Sequence, residues 1–158
     1  MKHSYLSLVG WISLTLAVGA FGGVVNRPDA WYYALKKPEW TPPNWVFGPV
    51  WILLYLLMGI AVWLVWKKRP GNSAFIAIVL YIIQLILNAA WTWIFFGLHS
   101  PVMAFAEICL LWMAILATSF FFWRIYPGAA GLLLPYLLWV TFAAALNFTI
   151  WRLNIGIN

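Results

Sequence analysis

Five long runs of apolar residues, each separated from the next by charge or by proline and glycine, set the pattern of this chain. They lie at about 5–25, 44–66, 73–98, 101–123 and 129–151, and each reaches the roughly 20 residues that an α-helix needs to cross a bilayer. None shows the strict alternation of a barrel strand, and in hydrocarbon a helix satisfies its own backbone hydrogen bonds. The links at 67–72, 99–100 and 124–128 are short, which predicts antiparallel neighbours. The fold expected is an all-α membrane protein, one domain over 1–158 with five transmembrane helices in an up-down bundle. The first run follows Lys2 and contains Val18-Gly19-Ala20, a pattern shared with signal peptides. Its uncharged stretch from Ser4 to Asn26 is long enough to span, so it is read as a retained helix.

Only the first connection, 27–43, is long, and it reads as a short helix within a loop. Asp29 is placed to cap the helix start, Lys36 and Lys37 suit its C-terminal end, and Pro38 is placed to stop it. Trp31, Tyr32 and Leu35 then share a face. Together with Trp40 and the stiff Pro42-Pro43 lead-in to the second span, they make the loop look like a lid. The competing reading is that these aromatics merely settle at the lipid headgroups.

Composition supports the membrane reading. Of 158 residues 66% are hydrophobic and 8% charged, too few charges to cover a water-soluble surface. The net charge of +6 would suggest nucleic acid in a soluble domain, but here the basic residues fall at the ends of the apolar runs, as positive-inside anchors do. No nucleic-acid partner is expected. Five spans put the termini on opposite sides. Lys2, Lys67, Lys68, Arg69 and Arg124 then oppose Arg27, Lys36, Lys37 and Arg152, a faint lean towards an inside N-terminus. The basic stretch 67–69 reads as a topological anchor. The single Cys109 forms no internal bridge, and His3 and His99 have no adjacent Cys, Asp or Glu, so no metal site is expected.

Thirteen tryptophans remain to be explained. Interfacial belts account for Trp31, Trp40, Trp45, Trp66, Trp123 and Trp151 at or beyond the span ends, and for Trp63 and Trp93 close to one. Trp11, Trp51, Trp91, Trp112 and Trp139 lie deeper, where an indole N–H wants a partner. Three stripes at helical spacing include some of them: Trp51, Tyr55 and Gly59; Gln84, Asn88, Trp91, Thr92 and Phe95; and Trp139, Ala143 and Asn147. Mid-membrane amides serve either as glue between helices or as ligand contacts. Indoles, amides and a small residue coinciding on three helices favour a cavity for a large, flat, mostly apolar ligand. Glu107 is the one acid within a span; function, snorkelling and a neutral hydrogen-bonded form all fit it. Gly19-x-x-x-Gly23 permits close helix approach, within the chain or in a dimer.

The loop and its exit read Trp31-Tyr32-x-x-Leu35-x-Lys37-Pro38-x-Trp40-x-Pro42-Pro43, then Trp45-Val46-Phe47 and Trp51. With Asn88 and Trp91, Phe95-Phe96, Pro135-Tyr136-Leu137-x-Trp139, and Leu146-Asn147 through Trp151 to Leu153-Asn154, the chain resembles the TspO/MBR family of tryptophan-rich sensory proteins over essentially its whole length. The resemblance implies a five-helix bundle whose first loop closes over a pocket for porphyrins, for isoquinoline or benzodiazepine-type drugs and, in mitochondria, for sterols. Pocket positions carried over are Tyr32, Trp51, Tyr55, Asn88 and Trp139. The stripes add Trp91, Ala143 and Asn147, and the lid is Trp31, Trp40, Pro42 and Pro43. Family members commonly form homodimers, often through the third helix, where this chain lacks a small-xxx-small pair of Gly; the resemblance thus leaves a homodimer as an open possibility, beside contact with membrane lipid. In the sterol pattern proposed for the fifth helix, Leu146 and Arg152 are present but Phe148 stands in the Tyr position, which makes cholesterol the weaker candidate. The short termini suit a bacterial member in a bacterial membrane.

The expected function is a multi-pass membrane binding protein for tetrapyrroles, acting in transport or sensing. Protoporphyrin IX or haem would be the ligand, and no cofactor is required. An alternative is light-dependent breakdown of bound porphyrin, for which oxidisable Trp51 and Trp139 are the candidate groups; no residues for conventional catalysis are singled out. A second alternative is sterol or lipid binding, or a regulatory role through a partner protein.

Overall fold

The computed structural model describes residues 2–25, 27–68 and 71–156. Asn26 and the anchor residue Arg69 lie outside them. In chain order the elements are α1 (Lys2–Val25), the short α2 (Ala30–Ala34), α3 (Asn44–Lys68), α4 (Gly71–Thr92) with a π-helical turn at Trp93–Gly97, α5 (Pro101–Ile125) and α6 (Pro127–Leu153). Five stretches are long and apolar enough to span a membrane: Tyr5–Val24, Asn44–Lys68, Ala74–Gly97, Pro101–Ile125 and Pro127–Leu153. Their outward faces carry Leu6, Ile52, Leu53, Phe75, Ile86 and Leu138, all well exposed, as a surface solvated by lipid requires.

The helix starts follow from local chemistry. Pro101 and Pro127 open α5 and α6, where a missing N–H costs nothing because first-turn donors have no intrahelical partner. The third apolar run departs from expectation. It is α-helical only to Thr92 and then widens, with the Leu98 N–H reaching the Trp93 carbonyl at 3.0 Å. Such turns carry one extra residue and recur at functional positions. Here the wider turn spreads Trp93, Phe95 and Phe96, and His99 follows at a φ of 52°.

Helix order in the bundle differs from chain order. α1 packs on α3, α3 on α6, α6 on α5 and α5 on α4, whereas α3 and α4 touch sparingly despite the short link between them. The neighbour relation read from that link is therefore corrected. A short link fixes direction and brings two ends together, but close approach depends on small residues. Those belong to α1 and α3. A Cβ on Gly59 would stand 2.9 Å from the Ile12 Cα, and one on Gly19 would overlap the Tyr55 ring. Gly59 is thus a helix-contact residue rather than part of a cavity wall, and Gly19 packs within the chain. A Cβ on Gly23 would meet nothing within 4 Å.

The half of the bundle away from the first loop is tightly packed. Met58, Ala61, Val62, Val65, Ala77 and Ile115 show no exposed surface. Tyr81 stacks on Phe122 with ring centres 6.1 Å apart, and its hydroxyl meets that of Thr15 at 2.6 Å. Trp11 closes this end, edge-on to Tyr81 and Trp66.

Candidate ligand site beneath the first loop

The first loop folds as a strapped lid. Asp29 caps α2, its Oδ1 accepting the Tyr32 N–H at 3.2 Å, while its Oδ2 lies 3.0 Å from His99 Nε2. His99 therefore does have an acidic partner, 70 residues away in sequence, and it also stacks on Trp31 at 4.5 Å. The Tyr32 N–H bond, followed by the His99 interaction, holds the Asp29 carboxyl below its usual range against the opposing effect of desolvation. α2 ends at Ala34, before Pro38, because Leu35 turns to extended backbone. Lys37 completes that end. Its Nζ donates to the Tyr32 and Leu35 carbonyls at 2.5 and 3.3 Å and sits 4.3 Å from the Tyr32 ring centre. Partial burial there holds the Lys37 ammonium below its usual range and pushes the Tyr32 phenol up. Pro38 serves a later turn, its carbonyl accepting the Thr41 N–H and hydroxyl at 3.0 and 2.7 Å. A second strap crosses from the end of α6: Asn154 Oδ1 accepts the Lys36 N–H at 3.0 Å and Asn154 Nδ2 donates to the Lys36 carbonyl at 2.8 Å.

The lid's inner face is aromatic, as its helical spacing predicts. Buried Tyr32 forms one apolar cluster with Phe95, Ala104, Leu146 and Ile150, and Trp31, Leu35, Phe47, Trp91 and Phe142 pack around it. Tyr32 lies 5.3 Å from the Phe96 ring and 6.4 Å from Phe95. Trp40 stays at the rim, about half exposed and edge-on to Phe142 at 5.8 Å. Pro42 and Pro43 lead into α3, with the Val46 N–H returning to the Pro43 carbonyl at 3.0 Å.

Beneath the lid the predicted residues converge from three helices. Trp51 stacks on Tyr55 at 5.4 Å and meets Tyr136 edge-on at 6.1 Å. The Tyr55 hydroxyl donates to Asn88 Oδ1 at 2.6 Å, and Asn88 Nδ2 donates to the Tyr136 hydroxyl at 3.1 Å. Trp91 stacks on Phe95 at 5.3 Å and donates its indole N–H to Asn147 Oδ1 at 3.0 Å, while Asn147 Nδ2 donates to the Pro101 carbonyl at 2.8 Å. Trp139 meets Phe47 at 5.8 Å and Phe142 at 5.5 Å, with Ala143 one turn further along α6. Both amides thus join helices and at the same time orient the aromatic walls.

Not every deep residue belongs to this set. Trp112 bonds Thr141 at 2.8 Å and lines an apolar cleft of about 460 Å³ with Phe105, Cys109 and Phe148 on the outer side of α5 and α6. Trp11 lies at the opposite end. Thr92 bonds back to the Asn88 carbonyl at 3.3 Å and faces Gly22 of α1. Sequence reasoning missed Tyr136 as a site residue although it stands three residues before Trp139, and it missed His99 and Asn154 as lid straps because their partners are remote in sequence.

Comparison with known proteins agrees with this architecture. The model of the TspO/MBR family matches residues 11–152. The chain is 45% identical to the tryptophan-rich protein TspO of Chlorobaculum tepidum, covering 98% of this chain and 99% of that protein. It is 39% identical to protein CrtK of Rhodobacter capsulatus over 96% and 95%, and 44% identical to the human translocator protein over 91% and 88%. A match that runs through the lid, all the long helices and the aromatic site leaves one conclusion: the chain is an integral membrane protein of the TspO/MBR family.

Proposed function

We propose that the protein binds a flat aromatic macrocycle of the tetrapyrrole class beneath its first loop, in the service of transport or sensing. The observation that carries this reading is the convergence of Tyr32, Trp51, Trp91 and Trp139 on one end of the bundle, with Asn88 among them supplying both a donor and an acceptor. Extended ring faces stack on a planar ligand, and a few fixed polar groups orient it. The names carried by relatives, translocator protein and tryptophan-rich sensory protein, accord with a carrier or sensor role.

The lid supplies the access step. Opening it breaks two polar straps, Asp29–His99 and Asn154–Lys36, and parts Tyr32 from Phe95 and Phe96. The macrocycle then takes the place of ring–ring contacts with ring–ligand contacts of the same kind, so exchange costs less than opening a packed aliphatic core. Trp51→Phe with Trp139→Phe tests the site. Protoporphyrin affinity, read by fluorescence titration, is expected to fall about tenfold or more, given the alanine- and pair-scale worth of aromatic contacts. Unchanged affinity would place the ligand elsewhere.

A further inference from the structure

Of the chain's three acids, Asp29 caps the lid helix and Glu39 is exposed; Glu107 lies within α5. Its residue is only 8% exposed, and both carboxyl oxygens are buried with no hydrogen-bond partner among the described residues. Snorkelling is therefore not its role. Two bonds between α5 and α6 fix its level. Asn147 reaches Pro101 and Trp112 reaches Thr141, so Glu107, between Pro101 and Trp112, stands level with the stretch of α6 between Thr141 and Asn147, which includes Ala143 and Ala144. It shares the inward stripe of α5 with buried Ala104, Ile108 and Leu111.

Burying a carboxyl without a partner is costly, and the cost is recovered only when something donates to it. Among the described residues no lysine or arginine lies at that depth; they fall at helix ends or in connections. Gln84, the other buried side chain on an inward stripe with unused amide atoms, is uncharged and lies seven residues before Trp91, about two turns deeper on α4. We propose that Glu107 is a recognition group of the ligand site, selecting flat aromatic molecules that present an N–H donor or a protonated amine. This rests on the site being where the aromatic convergence puts it. Stacking on Trp51 and Trp139 supplies affinity for any planar ring, and Glu107 discriminates among planar rings by their basic nitrogen. A ligand amine brought to Glu107 forms a charge-assisted hydrogen bond in an apolar setting, where such bonds are strongest.

The test uses the full chain in an uncharged detergent at neutral pH and two fluorescent probes of nearly the same shape, 9-aminoacridine, which is cationic, and acridine, which is neutral. The wild type is expected to prefer 9-aminoacridine by about ten- to a hundredfold, the range of a hydrogen bond to a charged group. Glu107→Gln should abolish that preference and keep acridine affinity within about twofold, which also shows that the variant is folded. Glu107→Asp keeps the carboxyl and should retain part of the preference, and Glu39→Gln should retain all of it. The proposal is overturned if the wild type shows no preference, if Glu107→Gln keeps it, or if Glu39→Gln removes it. Displacement of acridine by protoporphyrin separates the two ideas. Failure to compete contradicts the placement of the macrocycle, whereas competition without an amine preference contradicts only the role of Glu107.

Discussion

The two ends of the bundle are built from different residues and joined in different ways. At the end away from the lid, aliphatic and small side chains of four helices interlock until Met58, Val62, Val65 and Ala77 have no exposed surface. At the lid end, Trp51, Trp91 and Trp139 remain half-buried against neighbouring rings; Asn147 bonds Trp91, and Asn88 bonds Tyr55 and Tyr136, the two rings that flank Trp51. Close-packed aliphatics lose their contacts outright when parted. Rings and amides can exchange one partner for another of the same chemistry. One end therefore holds the fold, and the other is free to trade its internal contacts for a ligand.

That division can be broken in graded ways. The largest effect is expected from Phe122→Ala, which removes a fully buried ring stacked on Tyr81. Stability, followed by unfolding in detergent, should fall by about 3–5 kcal/mol, while the folded fraction binds porphyrin with wild-type affinity. A loss of affinity equal to that of a site variant would erase the distinction between the ends. Gly19→Ala probes the boundary. Its added methyl overlaps the Tyr55 ring, so the ring must swing away from Asn88 or α1 must move out from α3. A loss of about 1–3 kcal/mol, typical of overpacking, should accompany weaker porphyrin binding. Stability lost with affinity intact would show that the Tyr55–Asn88 bond does not shape the site.

The smallest effects concern the lid. Asn154→Ala removes both bonds to Lys36 and should loosen the lid by about 1 kcal/mol, with no change in global unfolding. Acid should also loosen the lid, through Asp29. Its carboxyl is held below the usual range by the folded lid, so its contribution is complete above the ordinary aspartate value of about 4 and is lost as pH falls through the lowered one. A nitroxide attached through Tyr33→Cys on the exposed side of α2, in a Cys109→Ser background, should gain mobility only in that acid range. Mobility independent of pH would remove Asp29 from the latch.

The sequence carries the spans and the lid helix because both are local signals. Apolar runs bounded by Lys67 and Lys68, or by Pro101 and Pro127, mark helices, and Asp29 with Lys37 marks the two ends of α2. The site stripes were legible for the same reason, since Trp51 and Tyr55, Asn88 and Trp91, and Trp139 and Ala143 each fall about one turn apart on a common face. What the sequence concealed was set by the tertiary arrangement. His99 has no acidic neighbour in the chain, and only the folded loop brings Asp29 to it. Gly59 shares the Trp51–Tyr55 stripe, but which helix rides against it depends on the helix order, and that helix is α1. The same holds for Trp112, deeper in its helix than Trp91 yet turned to the outer cleft.

Hydrogen exchange of the full chain with and without protoporphyrin tests most directly whether ligand enters at the lid end. Slowed exchange is expected at the lid amides of Tyr32 and Lys36, whose partners are Asp29 and Asn154, and along α4 around Asn88, with no change around Tyr81 or Met58. Protection confined to the outer cleft of α5 and α6, or spread over the packed end while the lid is unaffected, would contradict entry at the lid end.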